Sequence, residues 1–394
     1  MGGAMSSVEE RVLCVNSGSS SLKFALFASY GERLDTLATL AVQNIGGARG
    51  RVVLRSNRGG RELEANHLDH AQAFETAFSL LEEAQAGPFS IVGHRIVHGG
   101  PRYVEPALVD PTLVANLRAI VPLAPLHLPS SIAGIEAVAR RYPAVPQVAC
   151  FDTAFHSSMP EVARRLPLTD GIDGAGVRRY GFHGLSYEYV MSTFGPTAPR
   201  RVVIAHLGNG ASLVAVENGK SVDTTMGFTP AGGVMMGTRP GDLDPGVLLH
   251  LLRQEKLSPD ALAQVIEREA GLVGVGGTSD MKELLARSRS DERAKLAIAM
   301  FCRSVRKAIA GLASILGGID VLVFTGGIGE HAAEVREGVC DGLSFMGIEL
   351  DRAKNDRAED VVSTSTSRCV VRVVRTDEDA MIAKHSLRIA RANR

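Results

Sequence analysis

Two stretches of the 394-residue chain, about half a chain apart, repeat one design. The first runs Arg11-Val-Leu-Cys-Val-Asn16-Ser-Gly18-Ser-Ser-Ser21-Leu-Lys23-Phe-Ala-Leu-Phe27. The second runs Arg201-Val-Val-Ile-Ala-His206-Leu-Gly208-Asn209-Gly210-Ala-Ser-Leu-Val-Ala-Val216. Each predicts an apolar strand, a tight turn of Gly, Ser and Asn, and a second apolar strand. Such turns present backbone N–H groups and short hydroxyls that suit phosphate oxygens. One hairpin of this kind says little. Two predict a duplicated domain with a nucleotide lying between the halves.

The length fits two domains better than one core. Hydrophobic residues make up 45% and charged residues 22%, the balance of an ordinary globular protein. The 43 basic and 43 acidic side chains cancel, which argues against a nucleic-acid or membrane-surface partner. Five cysteines, Cys14, Cys150, Cys302, Cys340 and Cys369, are scattered without a CxxC pair. They predict small buried thiols in a reducing compartment, not a disulfide frame or a zinc site. No apolar run reaches the roughly 18 residues of a membrane span. Met1-Gly-Gly-Ala-Met5 lacks an apolar segment, which predicts a floppy lead and no signal peptide. The expectation is a cytoplasmic two-domain protein.

Strand and helix patterns alternate along most of the chain, as in α/β proteins. Gly50 to Leu63 reads as β structure turning at Gly59-Gly60, and Ala71 to Glu83 spaces Phe74, Phe78 and Leu81 as a helix does. A strand over 90–93 leads into His94-Arg95-Ile-Val97-His98-Gly99-Gly100. Ser130 or Ser131 is expected to cap a helix ending before Pro143, with a further strand at Gln147–Phe151. The second half repeats this order. Asn218-Gly219 signals a type I′ turn, Ser258-Pro259 a helix start, and Asp291 to Leu316 a long helix stopped by Gly317-Gly318. Asp320 to Phe324 reads as a buried parallel strand opening onto Thr325-Gly326-Gly327-Ile-Gly329-Glu330. A last strand, Cys369 to Val374, precedes Thr376-Asp-Glu-Asp379 and a helix from about Ala380.

Phosphoryl transfer requires cationic and N–H donors around the phosphates, a divalent cation and an oxygen nucleophile in line. Glycine turns at 16–21, 208–211 and 326–329 all fall at strand ends, where α/β proteins bind ligands. Asn218-Gly219-Lys220-Ser221 is not a Walker loop, because Val214 stands where a glycine is needed and a strand, not a helix, is predicted beside it. Arg95 follows an apolar strand between two histidines, and Arg239 sits in the apolar loop Met235-Met-Gly-Thr-Arg239-Pro-Gly-Asp242. A guanidinium in either place suits carboxylate or phosphate oxygens, and an ion pair bracing a loop is the structural alternative. His183, in Tyr180-Gly-Phe-His183-Gly184, is placed to steady charge on a moving phosphoryl group. Asp152 ends a strand as functional carboxylates do, while His156 reads as structural.

Together these motifs resemble the acetokinase family, which shares its two-domain plan with actin, hexokinase and the Hsp70 ATPase. The resemblance rests on Asn16 to Lys23, His94 to Gly100, Tyr180 to Gly184, His206 to Ser212, Met235 to Arg239, Gly326 to Glu330 and Thr376 to Asp379, in that order and over nearly the whole chain. It implies an α/β fold of two duplicated actin/hexokinase-like (ribonuclease H-like) domains with a nucleotide cleft between them. The expected domains are 1–152 with about 380–394, carrying the first phosphate loop, and 153–379, carrying most ATP contacts. It further implies reversible transfer of a phosphoryl group from ATP to acetate, giving acetyl phosphate and ADP, with Mg²⁺ or Mn²⁺, in a cytoplasmic homodimer. By the resemblance, Arg95, Asp152, His183 and Arg239 are catalytic. Val97, Leu126, Phe182 and Pro230 face the acetate methyl with Arg95 at its carboxylate. Ser19, Ser21, Lys23, His206, Leu207, Gly208, Asn209, Gly210, Asp280, Met281, Lys282, Gly327, Ile328, Gly329, Glu330 and His331 contact the nucleotide. Asn16 and Glu378 belong to the metal site.

A carboxylic acid of this kind is ionised at neutral pH. The nucleophile needs no general base, and Asp152 is expected to orient Arg95 or a metal-bound water. The chain departs from the family pattern at several positions: Tyr187 stands where histidine is common, Leu185 where threonine is, Lys282 for arginine, His331 for asparagine and Pro240 for serine. Ala231-Gly232-Gly233 replaces a more usual segment after Pro230. One methylene in an apolar pocket is worth only about 1–3 kcal/mol, so a propionate or other short-chain carboxylate kinase is the nearest rival. An ATP-driven binding module of the actin or Hsp70 type is a second, disfavoured by two loop arginines beside an apolar pocket.

Overall fold

The computed structural model describes residues 10–31, 33–84, 87–174 and 176–393. Met1 to Met5 lies outside them. The chain divides into two compact units, one running to Ala154 and resuming at Asp377, the other spanning Phe155–Thr376. Glu378, expected in the second domain, therefore belongs to the first unit. Asp377 accepts from the Ala380 N–H as N-cap of the last helix, Glu378–Ala392, which starts two residues earlier than expected.

The first unit holds an eight-stranded sheet. Its strands are β1 (Glu10–Ser17), β2 (Ser21–Tyr30), β3 (Arg33–Gln43), β4 (Arg49–Ser56), β5 (Gly59–Asn66), β6 (Ile91–Ile96), β7 (Ala107–Leu108) and β8 (Gln147–Phe151), in the order β5-β4-β3-β2-β1-β6-β8-β7. In the second, β9 (Arg201–Leu207), β10 (Ala211–Glu217), β11 (Lys220–Thr224), β12 (Val321–Thr325) and β13 (Val370–Val373) lie in the order β11-β10-β9-β12-β13. Stripped of its edges, the first sheet reads β3-β2-β1-β6-β8. In each unit an antiparallel meander of three strands is followed by two parallel ones. The duplicated hairpins are the centre of this repeat.

β3 gives no strand signal because Leu34, Leu37 and Leu40 recur every three residues. The register shifts opposite Leu26 and Phe27, where Ala38 and Thr36 pair and Leu37 is the extra residue. A bulge of this kind disguises a period of two.

One face of the first sheet packs Leu22, Phe24, Leu40, Val42 and Val52 against Phe74 and Phe78 of helix His70–Glu83. Helix Glu378–Ala392 contacts β1, β6 and β8. It comes so close at Gly93 that a Cβ there would lie 2.3 Å from Ser386 Oγ. Helix Leu128–Arg141 starts a turn earlier than expected, at His127 with Pro129 in its first turn. Ser130 and Ser131 accordingly cap nothing, and both hydroxyls donate back to the His127 carbonyl. In the second unit, Val202, Ile204, Val214, Val216 and Val323 pack with Tyr187 and Val190 of helix Gly184–Ser192, and the long helix Glu292–Ile315 contacts β9, β10 and β11. All five cysteines are buried thiols outside any disulfide. No described helix is long and apolar enough to cross a membrane.

Candidate active site

Arg95 lies within β6, one residue from its end, instead of in the loop beyond it. Parallel pairing sets Arg95 against Cys150 and Ile96 against Phe151, and the Asp152 N–H extends the ladder to the Ile96 carbonyl at 2.9 Å. Asp152 is two residues past Cys150, so it shares a sheet face with Arg95. Its carboxylate takes three bonds from two guanidinium nitrogens, Nε to Oδ1 at 3.0 Å and to Oδ2 at 3.2 Å, and Nη2 to Oδ2 at 2.7 Å. The third nitrogen, Nη1, reaches Glu378 Oε2 at 3.1 Å from the first turn of the last helix. Asp152 is 1% exposed and Arg95 19%. Burial opposes the guanidinium's charge, but Asp152 and Glu378 outweigh it and hold the group above its ordinary value.

Asp379 lies beside this cluster. Burial first, then Glu378 and Asp377, push its carboxyl up to about 6. Lys23 and Asp379 both line a cavity of about 560 Å³ on the face of β2–β5 that carries Arg51 and Arg55. Across the hairpin turn the Gly18 N–H donates to the Ser21 carbonyl at 2.8 Å, and Ser19 is exposed. Asn16 pairs with Lys23 in the β1–β2 ladder. Val97 and Leu126 are half-buried in this unit, whereas Phe182 and Pro230 belong to the other.

In the second unit Arg239 is largely desolvated, which lowers its pKa against a weaker pull from Glu267. Its Nη1 donates to the Pro230 carbonyl at 3.0 Å. Among the described residues no carboxylate forms an ion pair with it. The loop that carries it is held by backbone: Gly237 N–H to Asn209 O at 2.9 Å, Met236 N–H to Arg239 O at 3.0 Å, and Leu272 N–H to Met236 O at 2.9 Å. Gly271 permits that last approach. Its φ is +66°, and a Cβ there would stand 2.2 Å from Met236 O and 2.6 Å from Arg239 O. His183 faces the same place, since a Cβ on Gly210 would lie 3.4 Å from His183 Nε2 and 3.7 Å from Arg239 Nη1.

The His183 and His206 rings stack at 4.3 Å with 19° between planes. His183 Nδ1 meets Ser212 Oγ at 2.8 Å, and His206 Nδ1 meets Ser186 Oγ at 2.8 Å. Phe182, 1% exposed, is anchored through its carbonyl to the buried His156 at 3.0 Å. His156 binds Ser221 with its other nitrogen, which makes it structural.

A cavity of about 950 Å³ gathers three segments far apart in the chain: Gly208 and Asn209; Asp280, Met281 and Lys282; and Gly327, Ile328 and His331. The glycine turn after β12 is itself a short helix, Gly326–His331. Three of the expected nucleotide contacts have other work here. The Glu330 carboxylate accepts from the Gly326 and Thr376 N–H groups, at 3.0 and 3.2 Å, and ties that helix to the strand end. Asp280 caps helix Met281–Arg287 through the Lys282 N–H. Leu207 is fully buried, and its backbone lies under Gly326 so closely that a Cβ on Gly326 would meet the Leu207 carbonyl oxygen at 2.8 Å.

The sequence profile of the Acetokinase family matches residues 11–384. The chain belongs to the acetokinase family. Its relatives include the acetate kinases of Sulfurovum sp. (strain NBC37-1), 41% identical over 95% of this chain and 98% of theirs, and of Rhodopseudomonas palustris (strain ATCC BAA-98 / CGA009), 42% identical over 97% and 99%. Among solved structures, a propionate kinase from Francisella tularensis superposes with a TM-score of 0.92 at 34% identity, covering 96% of this chain and all of that one. The acetate kinase of Porphyromonas gingivalis does so with a TM-score of 0.87 at 38% identity, covering 97% and 100%. The two units are thus the duplicated actin/hexokinase-like domains of this family.

Within that family framework, the structure adds residues that the motifs did not single out. Ser279, Arg289 and Glu334 also line the 950 Å³ cavity. Ser279 adjoins a motif, but Arg289 sits in a polar turn between helices and carries no local signal. Ser212 ends a quoted motif and Ser186 lies two residues beyond another, and only the pairing of Ser212 with His206 across β9–β10 shows that a hydroxyl there meets the histidines.

Proposed function

We propose that this acetokinase-family chain transfers the γ-phosphoryl group of ATP to acetate, reversibly, giving acetyl phosphate and ADP. What carries the reading is the meeting of three separated segments in one nucleotide-sized cavity of the second unit, whose lining residue Asn209 is bonded by Gly237 to the loop of a desolvated arginine with no carboxylate ion pair among the described residues. A largely desolvated guanidinium with no ion pair among the described residues suits an anion brought by the substrate.

A carboxylate oxygen of acetate forms the new P–O bond as the bond from phosphorus to the ADP oxygen breaks. The acid arrives ionised, so no proton leaves it. Arg239 and Arg95 neutralise charge on the in-flight phosphoryl oxygens, and His183 donates to it. Asp152 orients Arg95: its bonds to Nε and Nη2 fix the guanidinium plane. Val97, Leu126, Phe182 and Pro230 supply the apolar surface for the methyl group.

Asn16 and Glu378 fit a magnesium ion by their donor chemistry: hard oxygens, in a neighbourhood where Asp152, Glu378 and Asp379 outnumber Arg95 and Lys23. Mg²⁺ keeps several waters and takes phosphate oxygens, so it needs few protein ligands. Among the described residues no group of three or more His, Cys, Asp or Glu is arranged for a metal. When bound, the ion neutralises phosphate charge.

A cytoplasmic homodimer completes the reading. Its support is helix Pro245–Arg253, which buries no residue within its own chain and leaves Val247 and Leu249 exposed. Steady-state ADP formation with acetate, propionate and butyrate in turn tests the substrate: acetate should give the highest kcat/KM. Equal or better turnover of propionate would reassign the acid, and the absence of carboxylate-dependent ADP formation would overturn the transfer itself.

A further inference from the structure

His183 is a non-glycine residue at φ +59°, in the left-handed region, directly before helix Gly184–Ser192. The Tyr187 N–H donates to the His183 carbonyl at 3.1 Å and closes the first helical turn. Tyr187 therefore lies one turn below His183, and its hydroxyl makes a short bond to Ser212 Oγ. Ser212 Oγ in turn meets His183 Nδ1 at 2.8 Å. Tyr187 and Ser212 are both fully buried.

Among the described residues Ser212 Oγ has these two hydrogen-bond partners and no others. It carries one proton. If it accepted from both neighbours, that proton would be buried without an acceptor, at about 1–3 kcal/mol. One neighbour must therefore receive it. A phenol is the stronger donor of the two hydroxyls, so Tyr187 donates to Ser212 and Ser212 donates onward. The receiving atom is His183 Nδ1.

We infer that Tyr187, acting through Ser212, is a positioning residue that keeps His183 neutral with its proton on Nε2. Nε2 is the nitrogen nearest the Gly210 position, and Arg239 Nη1 lies 3.7 Å from that same position. The relay thus aims a neutral N–H donor at the place where Arg239 offers its charge. Stacking on His206 fixes the ring plane, while the relay fixes which nitrogen holds the proton. The catalytic consequence rests on the phosphoryl-transfer reading, but the tautomer does not.

Two-bond ¹H–¹⁵N correlation spectra of the full-length protein, labelled at histidine, read the tautomer without substrate. The His183→Asn spectrum assigns the signal. Expected at neutral pH are a protonated Nε2 and an unprotonated Nδ1 for His183. In Tyr187→Phe and in Ser212→Ala that pattern should give way to mixed tautomers. In both variants kcat should fall about 10–100-fold, with KM for acetate and for ATP held within about threefold. A resting His183 with its proton on Nδ1, or on both nitrogens, overturns the inference even if neither variant folds. Variants that fold and keep the wild-type tautomer and kcat overturn it equally. A wild-type protein that makes no acyl phosphate would sink the functional reading and leave the tautomer result to stand or fall by itself.

Discussion

Arg95 and Arg239 show how differently two guanidiniums of one chain can be held. Arg95 is bound on three nitrogens by Asp152 and Glu378, whereas Arg239 leans on a carbonyl and has no ion pair among the described residues. Desolvating an unpaired charge is unfavourable, so Arg239 is expected to be retained for what it binds. Replacing it, Arg239→Ala, should lower kcat about 10²–10³-fold and leave the melting temperature unchanged or higher, as steady-state kinetics and thermal melts will show. Both arginines stood out in the sequence by their apolar surroundings. What no sequence signal separated was an arginine bound to carboxylates from one that is not, because Asp152 and Glu378 reach Arg95 from 57 and 283 positions away in the chain. Two buried histidines set a pH limit. Burial lowers both His94 and His156 to about 4 from the ordinary 6.5, against their bonds to Gln147 Oε1 and to the Phe182 carbonyl. The unfolded chain binds those protons more readily, so stability is full above about pH 6.5 and falls as the pH drops toward 4. Each contributes at most about 3 kcal/mol across that window. Melts between pH 7 and 4 should show a shallower slope in His156→Gln than in wild type; an identical slope would remove His156 from the account.

At the scale of elements, the candidate site segments are strand ends and helix starts whose positions depend on close backbone contacts. Helix Gly271–Gly276 has no buried large residue besides Leu272, yet it braces the Arg239 loop through Gly271. Gly271→Ala places a methyl against two carbonyl oxygens at a positive φ, so the loop must shift. A loss of about 2 kcal/mol or more and a fall in kcat larger than the fall in stability explains are expected from denaturant titration and kinetics. The glycines at 271–277 carried only a weak signal in sequence, since what they approach is 35 residues upstream. The hairpins β1–β2 and β9–β10 were legible because their strands are apolar and their turns unambiguous. β3 was not, because its bulge breaks the alternation that defines a strand. The helix after β12 was hidden by its glycines, which read as a loop until Glu330 folds back on the Gly326 N–H.

Considered whole, the chain repeats one five-strand order in two units, and the duplicated hairpin announced that repeat. The surplus β4, β5 and β7 decorate only the first unit. The chain's return to that unit at Asp377 brings Glu378 to Arg95, a long-range fact that local pattern cannot carry. The uncovered apolar helix Pro245–Arg253 leads to a further expectation: Leu249→Glu should convert a dimer to a monomer in sedimentation velocity, and a protein already monomeric before the change would refute the assembly. The central claim is chemical. Incubating the protein with ATP, Mg²⁺ and acetate, then trapping acyl phosphate with hydroxylamine, measures it most directly. The predicted result is acetyl hydroxamate in a one-to-one ratio with ADP, abolished by chelating the metal and by omitting acetate. Formation of ADP without any trapped acetyl group, across a range of pH and divalent metals, would contradict it.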